Sequence, residues 1–175
     1  MLIEQTVEKM RAMRLPGMVR AYEEQRGLPE MAGVTFDERL GLLVDREEIE
    51  RENSKYRSRL KRARLREEAC IEDLDFNPAR GLDKKQVLTF RSSEWIKRSQ
   101  NILVTGPTGS GKTHLACALL NEACRSGFSS KFFRLPRLLE DLVVAKADGR
   151  YLNLMDSLAK TQVLVLDDWG LSVFT

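Results

Sequence analysis

Apolar residues in the first part of the chain recur every three or four positions, which is the spacing of one helix face. Ile3, Val7 and Met10 predict a helix over residues 3–14. Leu15-Pro16-Gly17 interrupts it, because Pro16 lacks a backbone donor and Gly17 tolerates a turn. A second short helix is expected over 18–25, closed by Gly27-Leu28-Pro29. Thr35-Phe36-Asp37-Glu38 matches a capping box, in which hydroxyl and carboxylate each satisfy an orphan backbone donor. A long helix should follow, to about Glu68. Leu40, Leu43 and Val44 form its apolar stripe, and Ile49, Tyr56, Leu60 and Ala63 continue it sparsely. Glu47 and Arg51 stand four apart and can pair.

Residues 73–81 carry the turn signals Asn77-Pro78 and Gly81 and read as a linker. Residues 84–98 predict one helix or two short ones, with Leu88, Trp95 and Ile96 facing inward. Beyond them strands and helices alternate. Strands are expected at 101–105, 131–134 and 163–166. Helices are expected at 114–126 (ended by Gly127), from Pro136 through Lys146, and at 151–160. Strand, helix, strand, helix, strand is the pattern of a parallel sheet with crossover helices. The fold class is therefore α/β, preceded by a small all-α domain. The domains are drawn at 1–75 and 76–175.

Composition narrows the class. The 175 residues are 42% hydrophobic and 31% charged, enough apolar material for a core. The longest apolar runs, such as Val163-Leu164-Val165-Leu166, fall far short of a membrane span, which needs about 20 residues. Met1-Leu2-Ile3-Glu4 turns acidic at once, so no secretory signal is visible. Cys70, Cys117 and Cys124 follow no metal-ligand spacing and read as reduced packing thiols of a cytoplasmic protein. Trp95 and Trp169 are assigned to the core or an interface.

The net charge of +3 hides an uneven distribution. Residues 1–80 hold 16 basic and 17 acidic side chains, and residues 81–175 hold 13 and 9. Seven of the twelve residues from Lys55 to Arg66 are basic: Lys55, Arg57, Arg59, Lys61, Arg62, Arg64 and Arg66. Three readings stand for this stretch: a solvated helix face, phosphate contacts to nucleic acid, or a protein partner. The nucleic-acid reading would give salt-sensitive DNA affinity. With Tyr56 the only aromatic there, base stacking is not indicated.

The chemistry lies further along. Gly106-Pro107-Thr108-Gly109-Ser110-Gly111-Lys112-Thr113 fits the phosphate-binding loop G-x-x-x-x-G-K-[ST] in full, between an expected strand and an expected helix. The glycines let successive backbone N–H groups point at one anion, and the following helix adds its positive dipole end. Lys112 can reach β- and γ-phosphates, and the Thr113 hydroxyl can hold Mg²⁺. Some fifty residues on, Val163-Leu164-Val165-Leu166-Asp167-Asp168 would deliver two carboxylates to the sheet edge beside the loop. Asp167 is the candidate for holding Mg²⁺ through water, and Asp168 the candidate for polarising an attacking water. Many related enzymes place Glu at the second position, and Asp has a shorter reach. His114, the one histidine, is read as a structural residue at the start of its helix.

Leu15-Pro16-Gly17-Met18, the long Glu/Arg helix, Ala69-Cys70-Ile71-Glu72-Asp73, the loop 106–113, Asp148-Gly149-Arg150-Tyr151 and Leu166-Asp167-Asp168-Trp169-Gly170-Leu171 together resemble the IstB-like ATPases. These are helper proteins of a bacterial insertion-sequence family, similar to the DnaC helicase loader. The resemblance covers essentially the whole chain. It implies an AAA+ ATPase with a helical N-terminal domain that binds ATP and Mg²⁺, assembles on DNA as a homo-oligomer, and directs a transposase to its target. Lys112, Thr113, Asp167 and Asp168 match the family's nucleotide site position by position.

Members of that family continue well past the Asp-Asp pair, whereas this sequence stops at Thr175. The resemblance therefore implies an ATPase sheet incomplete at its C-terminus, lacking sensor residues and an arginine finger, with nucleotide binding retained and hydrolysis poor. A DnaC-like loader with a helicase partner, or an inactive remnant serving as a binding module, would share the same loop.

Overall fold

The computed structural model describes residues 2–77 and 81–170. Pro78 and Arg80 of the linker, Leu171 and Thr175 lie outside the described residues. Contacts divide the chain into two compact units, Met1–Arg57 and Ser58–Thr175. The boundary drawn between residues 75 and 76 falls inside the second unit.

In the first unit, α1 spans Leu2–Ala12, α2 Pro16–Gly27, a 3₁₀ turn Pro29–Gly33, and α3 starts at Phe36. Helix α2 begins two residues earlier than its apolar spacing implies. Pro16 occupies its first turn, where a missing N–H goes unnoticed and the fixed φ suits the helix. Gly17 is there for space: a Cβ on it would lie 2.6 Å from the Arg46 carbonyl oxygen and 2.7 Å from Glu47 Cα. The capping box forms as expected. Thr35 N donates to Glu38 Oε2 at 3.0 Å and Glu38 N to Thr35 Oγ1 at 3.4 Å. The Thr35 hydroxyl, and then its amide, hold the Glu38 carboxyl below its ordinary range. The expected Glu47–Arg51 pair is also present, at 2.8 Å.

The apolar stripe of α3 is largely exposed. Leu40, Val44 and Ile49 are exposed and Leu43 is half-buried. Val7, Val19 and Ala21 make the small core of this unit, and a unit of this size has little apolar surface left to cover a long helix.

Helix α3 spans Phe36–Ala63 and so stops short of Glu68. Arg64 takes a left-handed conformation with φ 54°, the kind of terminator usually supplied by glycine. The reason lies downstream. The chain must turn so that Ala69 and Ile71 can be buried, and Asn121 Nδ2 donates to the Ala69 carbonyl at 2.8 Å.

The second unit is organised around α6, Lys112–Arg125. Every residue from Cys117 to Cys124 is buried, the mark of a helix enclosed on all sides. On it lie Ala69, the 3₁₀ turn Ile71–Asp73 and the sheet. Two short helices, α4 (Lys84–Phe90) and α5 (Glu94–Lys97), realise the expected 84–98 region. Trp95 is half-buried and donates to the Phe90 carbonyl at 3.0 Å, but Trp169 is 67% exposed and outside the core.

Strand β1 (Ser130–Arg134) pairs in parallel with β2 (Val163–Asp167), from Ser130 beside Val163 to Arg134 beside Asp167. Helices α7 (Leu135–Ala147) and α8 (Tyr151–Ala159) make the crossover. The expected strand at 101–105 is not formed. Those residues make no ladder, and Leu103 is 88% exposed. A strand needs a neighbour's amides and carbonyls, and no described strand runs beside 101–105. The described residues are thus mostly helical with a two-stranded parallel sheet.

Candidate functional site

The loop 106–113 runs into the N-terminus of α6. Gly111 precedes the helix with φ 90°, and Gly109 has φ 80°; both lie in the left-handed region that a side chain resists. The loop is exposed from Gly106 to Gly111. Lys112 closes it on itself: Nζ donates to the Gly106 carbonyl at 2.9 Å and to the Pro107 carbonyl at 2.8 Å. An ammonium held by two neutral carbonyls keeps a strong preference for an anion.

Thr113 and Asp167 meet although 54 residues separate them. Thr113 Oγ1 donates to Asp167 Oδ2 at 2.9 Å. Parallel pairing delivers Asp167 to the C-terminal end of β2, and α6 packs against that sheet. A hydroxyl and a carboxylate oxygen side by side are hard donors of the kind Mg²⁺ takes, with phosphate and water completing its shell. Among the described residues no cluster of three His, Cys, Asp or Glu side chains could hold a metal by itself. The donor set fits an ion that arrives with a polyphosphate.

Asp168 faces elsewhere. Its φ is 60°, and its Oδ2 accepts from Arg134 Nε at 2.6 Å. Arg66 Nη1 lies 3.6 Å from Asp167 Oδ2, so each acid stands beside its own arginine. His114, in the first turn of α6, places Nδ1 3.4 Å from Glu67 Oε2. A cleft of about 330 Å³ opens beside the loop, lined by Leu74, Leu82, Val104, Thr105, Lys112 and His114 among others. Asp73, Asp75 and Ser110 line it as well, so apolar and polar side chains share the wall, which suits a partly polar ligand.

The seven basic residues are spread over several environments. Lys55 and Arg57 belong to the first unit, where Arg57 pairs with Glu50 at 3.2 Å. In the second unit Arg59 Nε donates to the Cys124 carbonyl at 2.8 Å and Arg66 turns to Asp167. Lys61, Arg62 and Arg64 are exposed.

Sequence reasoning missed Arg134, Glu67 and the cleft wall at Leu74 and Leu82. Only Arg134 left a usable signal. It ends its strand, as Asp167 ends the neighbouring one, so aligning the two apolar strands in parallel would have paired them.

Comparison with known proteins identifies the family. The family described as IstB-like ATP binding protein matches residues 8–175. An ATP-binding protein of insertion sequence IS1162 in Pseudomonas fluorescens is 47% identical over 173 residues, covering 98% of this chain and 75% of the relative. An insertion sequence ATP-binding protein of Sinorhizobium fredii is 41% identical over 171 residues, covering 98% and 70%. One from insertion sequence IS21 of Pseudomonas aeruginosa is 32% identical over 168 residues, covering 96% and 62%.

Proposed function

The chain belongs to the IstB-like ATP-binding protein family, and on that premise we propose that it binds ATP with Mg²⁺ at residues 106–113 and serves as a helper in DNA transposition. The observation that carries the nucleotide reading is the 2.9 Å contact between Thr113 Oγ1 and Asp167 Oδ2, which joins the loop to the acid-bearing strand. The relatives are named for insertion sequences, which favours transposition over helicase loading.

The loop amides and the α6 N-terminus take up phosphate charge. Lys112 leaves the Gly106 and Pro107 carbonyls for the β- and γ-phosphates, trading neutral acceptors for charged ones. Thr113 and Asp167 are the residues that would hold Mg²⁺, which when bound neutralises phosphate oxygens and orients them. Asp168, once free of Arg134, orients and polarises the water that attacks the γ-phosphorus. The cleft by Leu74 and Leu82 receives the nucleoside end. Residues 76–175 form the nucleotide-binding part, and residues 1–75 provide contacts to DNA or to the transposase.

Titration of a fluorescent ATP analogue tests the reading. Saturable binding strengthened by Mg²⁺, and lost in Lys112→Ala with the fold intact, is expected. Equal binding by Lys112→Ala would refute it. Retention on a transposase column in the presence of ATP and a target DNA tests the partner assignment.

A further inference from the structure

Two groups converge on one oxygen of Asp167. Thr113 Oγ1 donates to Oδ2 at 2.9 Å, and the Arg66 guanidinium stands 3.6 Å from the same atom. The Asp167 side chain is only 15% exposed, while that of Arg66 is 51% exposed. A carboxylate so far withdrawn from water requires a counter-charge. Among the described residues Arg66 is the one cation within ion-pair distance of it.

The chain holds Arg66 in this position from both sides. Ala63 is fully buried before it, and Ala69 is buried after it, its carbonyl accepting from Asn121 Nδ2 at 2.8 Å. Glu67, the next residue, lies 3.4 Å from His114 in the first turn of α6. The segment between α3 and the 3₁₀ turn thus lies along α6 and brings Arg66 to the acid.

We propose that Arg66 is a built-in counter-cation of this site, exchanging with the divalent cation at Asp167. The inference rests on the nucleotide reading of residues 106–113. A guanidinium and a doubly charged ion on one carboxylate oxygen repel each other across a few ångströms. Metal–nucleotide therefore displaces Arg66, whose half-exposed side chain can swing into water without moving the backbone. Arg66 in this way sets the metal concentration at which the site loads.

The test uses the full chain. Mn²⁺ binding to protein holding a non-hydrolysable ATP analogue is counted by electron paramagnetic resonance, and the Mg²⁺ concentration at half-saturation is read from the fluorescent ATP analogue. Arg66→Ala should bind Mn²⁺ about threefold to fivefold more tightly than wild type, with a matching fall in the Mg²⁺ midpoint. Arg66→Gln keeps the length and a donor without the charge, and should do the same if the alanine variant fails to fold. Arg98→Ala, which removes a solvent-facing positive charge, should leave both values unchanged. Unaltered Mn²⁺ affinity in a folded Arg66 variant overturns the proposal, as does an equal gain in Arg98→Ala, which would reveal only an effect of net charge. A wild type that binds the analogue with the same Mg²⁺ midpoint as Arg66→Gln overturns this inference alone. A wild type that binds no analogue at all overturns the nucleotide reading and this inference together.

Discussion

Glu47 Oε2 lies 2.8 Å from the backbone nitrogen of Gly17, thirty residues earlier in the chain. The same oxygen accepts from Met18 N at 3.2 Å. A carboxylate from α3 thus satisfies two orphan amides at the start of α2 and sits at the positive end of its dipole. This contact explains why proline and glycine stand together here: Pro16 starts the helix, and Gly17 lets α3 come close. Gly17→Ala should destabilise the first unit by about 1–3 kcal/mol, because the added methyl meets backbone that cannot rotate away. Denaturant unfolding followed by circular dichroism checks this, and an unchanged midpoint would contradict the packing argument.

Acid should weaken the same contact. Burial alone would push the Glu47 carboxyl up, but the Arg51 hydrogen bond and the Met18 and Gly17 amides outweigh it and hold the carboxyl below its ordinary 4.5. The folded value lies below the unfolded one, so the stabilisation is fully present above about pH 4.5 and disappears as pH falls through the folded value. The stability gap between wild type and Glu47→Gln should therefore be constant near neutrality and narrow in acid. A gap that persists undiminished to about pH 3 would show that the charge is not what caps α2.

Local signals were the legible ones. The Thr35–Glu38 box, the Glu47–Arg51 pair and the loop 106–113 each announce themselves within a few residues. The start of α2 is hard to place because proline both breaks a helix and suits its first turn. The early end of α3 was invisible: Arg64 carries no terminator chemistry, and the cause is the burial of Ala69 and Ile71 further on. The strand expected at 101–105 failed because pairing is a property of two segments. In the candidate site, Lys112, Thr113, Asp167 and Asp168 could be named from motif spacing. Arg66, the partner of Asp167, could not, since that contact depends on how the 63–72 segment packs on α6; Arg134, the partner of Asp168, is legible only once the two strands are set in parallel register.

The three thiols should differ in reactivity. Cys117 and Cys124 are fully buried, and desolvation, the largest influence on each, pushes both thiols above their ordinary range. Cys70 is only half-buried. With a disulfide reagent at neutral pH, Cys70 should react first and the other two only as fast as the second unit opens. Simultaneous modification of all three in the native protein would argue against the enclosed α6.

Asp167 and Asp168 should separate binding from turnover. Asp167→Asn weakens the charge beside Thr113 and should raise the Mg²⁺ requirement for nucleotide binding. Asp168→Asn alters the group assigned to water and its pairing with Arg134 but not the Thr113–Asp167 contact, so it should leave binding intact and lower any phosphate release by about a hundredfold or more. Loss of analogue binding in Asp168→Asn would reverse the two assignments.

The basic stretch yields the last prediction, because its members no longer look equivalent. Arg59 donates through Nε to the Cys124 carbonyl in the last turn of α6, where a cation also suits the helix dipole. Arg59→Met keeps the stem but removes the donor, so it should cost about 1–2 kcal/mol of stability and leave DNA affinity nearly unchanged. Lys61 and Arg62 are exposed, and their charges are available to a polyanion. If DNA is the partner, Lys61→Ala with Arg62→Ala should weaken binding uniformly across sequences and lower the slope of log affinity against log salt by about two. Fluorescence anisotropy over a salt series distinguishes the cases. A slope that falls as much for Arg59→Met as for each exposed residue would mean that the stretch acts as one charge cluster. A slope unmoved by all of them would remove DNA from this surface and leave the protein-partner reading.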